Sequence, residues 1–240
     1  MKIKYKALLL AAGYGTRLKP YTNNKPKCLI DIGGKPLLEY WLKNLENSSC
    51  EEVLINTHYL SEQVDDFINK RPITRMKIKV IYEKELLGTA GTLNKNLNFF
   101  DNEIGLIIHA DNFAMLDLKK FINAHIQRRK NTLLTMLTFL AENPSSCGIV
   151  EIDSNKILID FNEKPTFPKS SLANAAIYAF EKDFLQEFIK IDNPFDFSKD
   201  VIDKFKGKIQ TWFTDELLID IGTPKSLLKA KRFASNFRQT

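Results

Sequence analysis

The sequence predicts an α/β protein, with a Rossmann-like, mostly parallel sheet carrying helices on both faces and a mixed β extension after it. Three observations carry this expectation. Short β-rich runs alternate with helical patterns through the first 140 residues, and the first run opens into a loop holding Gly13 and Gly15. After residue 140 the rhythm changes to strand-like runs with few helices between them.

Taken in order, the strands are read at Lys6–Ala12 (KALLLAA), Glu51–Thr57, Lys77–Glu83, Gly105–Ala110 and Thr132–Phe139, each an apolar or β-branched run of strand length. Helices are read between them at Pro36–Leu45, with proline in the first turn, and at Ser61–Asn69, with serine at the cap position. Thr89–Leu97 and Leu116–Arg129, the latter with Asp117 near its start, complete the series. A βαβαβαβ order is most economically a parallel sheet sandwiched by helices. Cys147–Asp153, Ile157–Glu163 and Asn174–Phe180 then read as strands of an extension that covers one side of a site. In the last sixteen residues Leu227, Leu228, Ala230, Ala234 and Phe237 lie near one helical stripe, with Lys229, Lys231 and Arg232 largely off it, as in a packing helix with a solvated basic side. No repeat, low-complexity tract or linker separates the halves, so residues 1–240 read as one domain.

With 240 residues and 44% hydrophobic composition the chain can bury a substantial core. The amino-terminal apolar run is too short for a bilayer span and lacks the small-residue cleavage pattern of a secretion signal, which points to a cytoplasmic protein. Cys28, Cys50 and Cys147 form no C-x-x-C pair, so neither a disulfide framework nor a zinc site is indicated. The net charge of +6 is local: residues 1–35 carry eight Lys/Arg against Asp31, and residues 225–240 carry five against no acid. The rest of the chain is therefore acidic. A concentrated positive loop beside glycines suits a small polyanion, whereas nucleic acid would require a broad basic face. Neither nucleic acid nor a membrane is an expected partner.

Ligands of open α/β sheets sit beyond the carboxyl ends of the strands, where the first loop falls. Gly13 and Gly15 allow close backbone approach and leave amide groups to face phosphate oxygens. Arg17 offers a planar fork for phosphate and Lys27 a point charge. There is no third glycine for a dinucleotide fingerprint and no G-K-[ST] for a Walker loop. Asp111 follows the run GLIIHA and Asp220 lies in LIDIGTP, so two carboxylates stand at strand ends.

The stretch AAGYGTRLKPYTNNKPKCLIDIGGKPLLEY resembles the signature of the sugar-1-phosphate nucleotidylyltransferases, and the resemblance continues through LLGTAG, HADN, CGIVEID, NEKP, LANAAIYAF and LLIDIGTP. It implies a fold of the nucleotide-diphospho-sugar transferase type, the reaction of an NTP with a sugar 1-phosphate to give an NDP-sugar and pyrophosphate, and Mg²⁺ as cofactor. Residues 1–140 would form the nucleotide-binding part and residues 141–240 the sugar-phosphate-binding part, with no room for the carboxyl-terminal β-helix of some relatives. By this resemblance Arg17 and Lys27 hold the triphosphate, Asp111 and Asp220 bind the metal, and Lys164 meets the sugar phosphate. Leu10, Ala12, Gly13, Gly15, Thr16, Glu83 and Gly88 correspond to nucleotide contacts, and Gly148, Glu163, Lys164 and Asn174 to contacts with the sugar phosphate. At the first metal position this chain has Ala110-Asp111 where many members have glycine-aspartate. His109 reads as a packed residue more than as a ligand, His58 and His125 carry no specific signal, and Tyr178, Phe180 and Trp212 read as core or interface aromatics.

Glu83 or Glu85 could accept from the N–H edge of guanine. LGTAG also resembles the segment of relatives that make GDP-mannose or GDP-manno-heptose, and this resemblance implies GTP with a mannose-like or heptose 1-phosphate, for precursors of cell-surface polysaccharide. A UTP-dependent enzyme is the alternative, as is a silent NDP-sugar-binding regulator; the latter would predict losses among Arg17, Lys27, Asp111, Lys164 and Asp220, all of which are present. Self-association into a homo-oligomer is left open.

Overall fold

A computed structural model describes residues 3–236. Strands β1 (Tyr5–Leu10), β2 (Asp31–Ile32), β3 (Lys35–Pro36), β4 (Cys50–Thr57) and β5 (Lys77–Tyr82) come first, with helix α1 (Leu37–Asn47) before β4 and α2 (Ser61–Asn69) after it. Helix α3 (Gly88–Lys95), β6 (Ile104–His109), β7 (Asn112–Met115), α4 (Leu118–Ile126), β8 (Leu134–Leu140), β9 (Gly148–Ile152), β10 (Leu158–Glu163) and β11 (Leu172–Phe180) follow. The described chain ends with α5 (Lys182–Phe188), β12 (Ile209–Phe213), β13 (Leu217–Asp220) and α6 (Pro224–Asn236). Two compact units are formed. One comprises Met1–Leu86, His109–Asp117 and Glu216–Thr240, and the other Leu87–Ile108 and Leu118–Asp215.

In the first unit β4 pairs in parallel with both β1 and β5, with Leu8 opposite Leu54 and Val53 opposite Ile78. Strands covered on both faces need apolar side chains throughout, and β1 (YKALLL) is buried along nearly its whole length. Helix α1 buries Leu37, Leu38, Trp41, Leu42 and Leu45 on one side, each contributing about 1.5–3 kcal/mol. Helix α6 rests on a cluster of Leu18, Ile30, Ile32, Leu37, Phe113, Ile219 and Ile221 through Leu227, Ala230 and Ala234. Its small residues let the β2–β3 turn come close: a Cβ on Gly33, whose φ is +61°, would stand 2.7 Å from that of Ala234. Leu228, read from the sequence as part of the packed stripe, is half exposed because it lies off this face, and Phe237 lies outside the described residues.

In the second unit β6 and β8 run the same way, as successive βα units would, but β11 pairs antiparallel with both. Strand β11 also meets β9 antiparallel, β9 pairs with β10, and β12 adds in parallel to β8. The two ends of this series touch, through the bridge between Ile157 and Gln210 and the donation of the Thr211 N–H to the Lys156 carbonyl. The extension is thus a curled sheet. Tyr178 and Phe180 on β11 join Phe100, Phe184, Phe188 and Phe197 in a buried aromatic cluster. Trp212 is half-buried and packs on Phe121.

Several boundaries differ from the sequence reading. Ser61 does not cap α2; the helix starts after Leu60, held in the left-handed region at φ +52°, and no side chain caps it. Helix α4 begins at Leu118 because Leu116 and Asp117 are engaged elsewhere, the Leu116 carbonyl accepting from the Asn44 amide and the Asp117 N–H donating to Glu216. Among the described residues no helix is long and apolar enough to cross a membrane. Cys28 and Cys50 are buried and unbridged, and burial pushes both thiols up to about 12.

One buried group makes the fold acid-sensitive. His125 on α4 is fully buried with Nδ1 2.8 Å from the Thr135 hydroxyl, and burial, with the Arg128 guanidinium nearby, lowers its pKa to about 3. The unfolded chain takes up a proton near pH 6.5 that the folded chain refuses, so stability is fully present above 6.5 and declines as pH falls toward 3. Between pH 7 and 5 the expected loss is roughly 2 kcal/mol, and urea unfolding of His125→Leu over the same interval should show a slope lower by that amount. Equal slopes would refute the assignment.

Candidate active site

The first unit gathers most of the residues singled out in the first loop. Strand β1 ends at buried Leu10; the Ala11 N–H then donates to Asn56 Oδ1 at 2.7 Å, and Asn56 Nδ2 donates to the buried Glu83 carboxylate at 3.0 Å. Glu83 is 2% exposed and lies beneath the loop, bonded to Asn56, while Glu85 is exposed. Ala12 is buried and Gly13 exposed, and a Cβ on Gly13 would meet no protein atom within 4 Å. The fold itself does not require glycine there. It does at Gly15, where φ is +64° and a Cβ would fall 2.9 Å from Thr22 Cγ2 and 3.1 Å from Lys27 Cβ. From Gly15 a single 3-10 turn, Thr16–Leu18, leaves Thr16 and Arg17 in solvent and sinks Leu18 into the core. A second turn, Lys27–Leu29, is buried throughout, so Lys27 is held by its neighbours.

The two aspartates reach this loop through backbone pairing. The Ala110 N–H donates to the Leu10 carbonyl at 3.1 Å, placing Asp111 beside the end of β1. Strand β13 pairs antiparallel with β7 so that Asp220 stands opposite Asn112, whose carbonyl accepts from the Trp41 indole at 2.7 Å. Lys27 Nζ lies 2.8 Å from Asp111 Oδ2 and 3.9 Å from Asp220 Oδ1. The lysine side chain is 9% exposed, the aspartates 40% and 46%. Burial pushes the Asp111 carboxyl up, but the Lys27 ammonium, with His109 behind, brings it below the usual carboxylate range. Gly222 lets Arg17 in: a Cβ there would stand 3.1 Å from Asp220 Oδ2 and 3.3 Å from both terminal guanidinium nitrogens of Arg17.

These donors suit a hard divalent cation. Both carboxylates already share one positive charge, the lysine ammonium, and among the described residues no group of three or more His, Cys, Asp or Glu could hold a metal alone. Mg²⁺ is the ion that settles for one or two carboxylates and completes its shell with phosphate oxygens and water.

The second unit holds the remaining predicted residues. Gly148 opens β9 where a Cβ would lie 2.5 Å from the Phe161 ring and 2.8 Å from Glu163 Oε2, so only glycine fits. Glu163 ends β10, and Lys164 follows at φ +50°, its N–H donating to the Cys147 carbonyl and its Nζ 3.3 Å from Glu163 Oε1. A lysine in the left-handed region costs roughly 1 kcal/mol or more, which its neighbours must impose. Asn174 precedes an irregular step in β11: its Oδ1 accepts from the Ala176 N–H, with Ala176 at φ +55°, and its amide donates to the Tyr178 hydroxyl at 2.6 Å. Gly88, at φ +75°, starts α3 against the Phe195 carbonyl, which accepts from the Ala90 N–H.

Sequence reasoning overlooked Asn56 and Gly222. Both had signals, a polar residue closing the apolar run VLIN and a glycine two residues after Asp220.

A glycine loop that leaves the end of a parallel strand and carries two cations to the side of two strand-end aspartates is the arrangement of an α/β protein of the nucleotide-binding type. The chain belongs to the nucleotidyl transferase family, whose profile matches residues 6–236. It is similar to a Sulfolobus acidocaldarius protein named as a mannose-1-phosphate guanyltransferase, at 32% identity over 93% of this chain and 61% of that one. It is also similar to the glucose-1-phosphate adenylyltransferase of Bacillus subtilis, at 30% identity over 96% of this chain and 67% of that one. The chain thus spans about three-fifths to two-thirds of the length of these relatives. The crystal structure of HddC from Yersinia pseudotuberculosis complexed with GMP-PN superposes with a TM-score of 0.80, at 27% identity over 95% of this chain and 99% of that one.

Proposed function

We propose that the protein transfers a nucleotidyl group from an NTP to a sugar 1-phosphate, forming an NDP-sugar and releasing pyrophosphate. The observation that carries this reading is the buried Lys27 ammonium held between Asp111 and Asp220 beside a loop whose Gly13 the fold does not require. Both substrates are polyanions, so bringing an oxygen of the sugar phosphate to the α-phosphorus works against strong repulsion. That oxygen is already ionised, and no general base is needed; positioning and positive charge do the work. Arg17 and Lys27 hold the triphosphate and stabilise charge as the α–β phosphoanhydride bond breaks and pyrophosphate leaves. Lys164 holds the sugar phosphate, Glu163 accepts from sugar hydroxyls, and Gly148 and Asn174 shape their surroundings. Asp111 and Asp220 hold Mg²⁺, which when bound supplies positive charge to the phosphate oxygens. The preferred pair is GTP with a mannose-like or heptose 1-phosphate, a choice supported by the names of the Sulfolobus relative and of the GMP-PN complex.

A screen of four NTPs against a panel of sugar 1-phosphates tests this. Pyrophosphate should appear only with Mg²⁺, NTP and sugar phosphate together, and fastest with GTP. No turnover with any pair, combined with tight NDP-sugar binding, would replace the enzyme with a regulator. In the active pair Lys164→Ala should raise the KM for the sugar phosphate about tenfold or more, since one charge-assisted contact of ~1.5–3 kcal/mol is lost, and leave the KM for NTP nearly unchanged.

A further inference from the structure

The glycine loop is held from outside by a segment the chemistry above does not use. After β4 the chain runs His58-Tyr59-Leu60 into α2, and three of its side chains reach the loop. His58 Nε2 lies 2.8 Å from the Tyr14 hydroxyl, and Tyr14 stands between Gly13 and Gly15. The Tyr59 hydroxyl lies 2.7 Å from the Asn23 carbonyl oxygen and 3.0 Å from that of Thr22, and its one hydrogen is shared between them. Gln63 Nε2 donates to the Asn24 carbonyl at 3.0 Å. Thr22 in turn donates its hydroxyl to the Gly15 carbonyl at 2.9 Å.

The rings agree with these bonds. Tyr14 meets His58 edge-on at 5.2 Å between centroids and Tyr59 at 5.8 Å, and Tyr82 stacks on His58 at 6.3 Å. His58 Nδ1 is 2.7 Å from the Glu83 carbonyl oxygen, which can only accept. In the neutral ring Nδ1 therefore carries the hydrogen, and Nε2 accepts from the Tyr14 O–H. Leu60 sits at φ +52°, a conformation a leucine keeps only where its surroundings dictate it.

We propose that His58, Tyr59 and Gln63 form a clasp that preorganises the glycine loop, with His58 acting as a positioning residue for NTP binding through Tyr14. A loop with two glycines is free to adopt many conformations, and the one that binds phosphates must otherwise be selected at each binding event. Bonding Tyr14, Thr22, Asn23 and Asn24 to one rigid strand-to-helix segment removes that freedom beforehand.

The kinetic arm rests on the proposed nucleotidyl transfer; the spectroscopic arm does not. Tyr14→Phe and His58→Phe keep an aromatic ring and lose the bond. Each should raise the KM for NTP roughly five- to tenfold, with kcat and the KM for sugar phosphate within about twofold. The double variant should be no worse than the poorer single one, because both remove the same bond. In the ligand-free wild-type protein, nitrogen NMR should find His58 as the Nδ1–H tautomer, and amide exchange over residues 13–24 should quicken about tenfold or more in either variant. Additive singles, equal rises in both KM values, or unchanged loop exchange would overturn the clasp. A protein that turns over no substrate yet shows the tautomer and the faster exchange would retain the clasp and lose only the reaction. Should His58→Phe fail to fold, Tyr14→Phe, the loss of one oxygen from an exposed ring, decides alone.

Discussion

Asp111→Asn is expected to remove nearly all turnover from a protein that still folds. The amide is nearly isosteric with the carboxylate and its oxygen can still accept from Lys27 at the present 2.8 Å, so the turn between β6 and β7 has no steric reason to move. What disappears is the negative charge. With it goes half of the carboxylate pair that would hold Mg²⁺, leaving Asp220 alone against the neighbouring Lys27 and Arg17. A loss of about 3–5 kcal/mol in transition-state stabilisation, a hundred- to several-thousandfold in kcat, is the expected size. Circular dichroism should report an unchanged spectrum and a cooperative melt, with stability lower by no more than ~1–2 kcal/mol for one weakened charge-assisted contact. Near-wild-type turnover in Mg²⁺ would remove Asp111 from the metal site.

Lys27→Ala should be nearly as damaging, for the opposite reason. Its ammonium is the buried positive charge shared by both aspartates, and losing a preorganised group of this kind costs about 2–4 kcal/mol in kcat. Lys19 and Lys25 are exposed on the same loop, and their alanine variants should change kcat by less than about 1 kcal/mol. Equal sensitivity at all three lysines would mean that the loop acts through bulk charge. A second reading needs no turnover: without the ammonium the two carboxylates repel each other, so Mg²⁺ alone should raise the melting temperature of Lys27→Ala more than that of the wild type. If the ion shifts neither, these carboxylates do not take it without nucleotide.

The parts of the fold that were legible in the sequence are those governed by local pattern. The apolar runs of β1, β4 and β6 fall within one or two residues of their expected bounds because strands covered on both faces must be apolar, and α1 shows its packing face in the spacing of Leu38, Trp41, Leu42 and Leu45. The short pairs β2–β3 and β7–β13 were not legible. Two to four residues carry no period, and such strands exist only because a distant partner supplies their hydrogen bonds. Strand β12 escaped notice likewise, and the place of β11 between β6 and β8 depends on pairing that no local window contains.

The same division runs through the candidate site. The spacing of Gly13, Gly15, Arg17 and Lys27, and the two strand-end aspartates, stand in the sequence, since residue type and motif spacing are local properties of a chain. That Lys27 lies between Asp111 and Asp220, 84 residues away in the first case, is a matter of tertiary structure: it follows from the Ala110–Leu10 backbone bond and from the β7–β13 register. Glu83 makes the contrast sharpest. By sequence it is the last residue of a strand, an acid that could accept from the edge of guanine; in the fold it is buried and bonded to Asn56, which bonds Ala11. His58, which carried no signal of its own, bonds Tyr14 only because β4 ends beside the loop that follows β1. Residue types and their spacing say which chemical groups are available and in what local order. Which of them meet is a property of the folded chain, because hydrogen bonds and ion pairs act over a few ångströms, and neighbours at that range are chosen by sheet register and core packing.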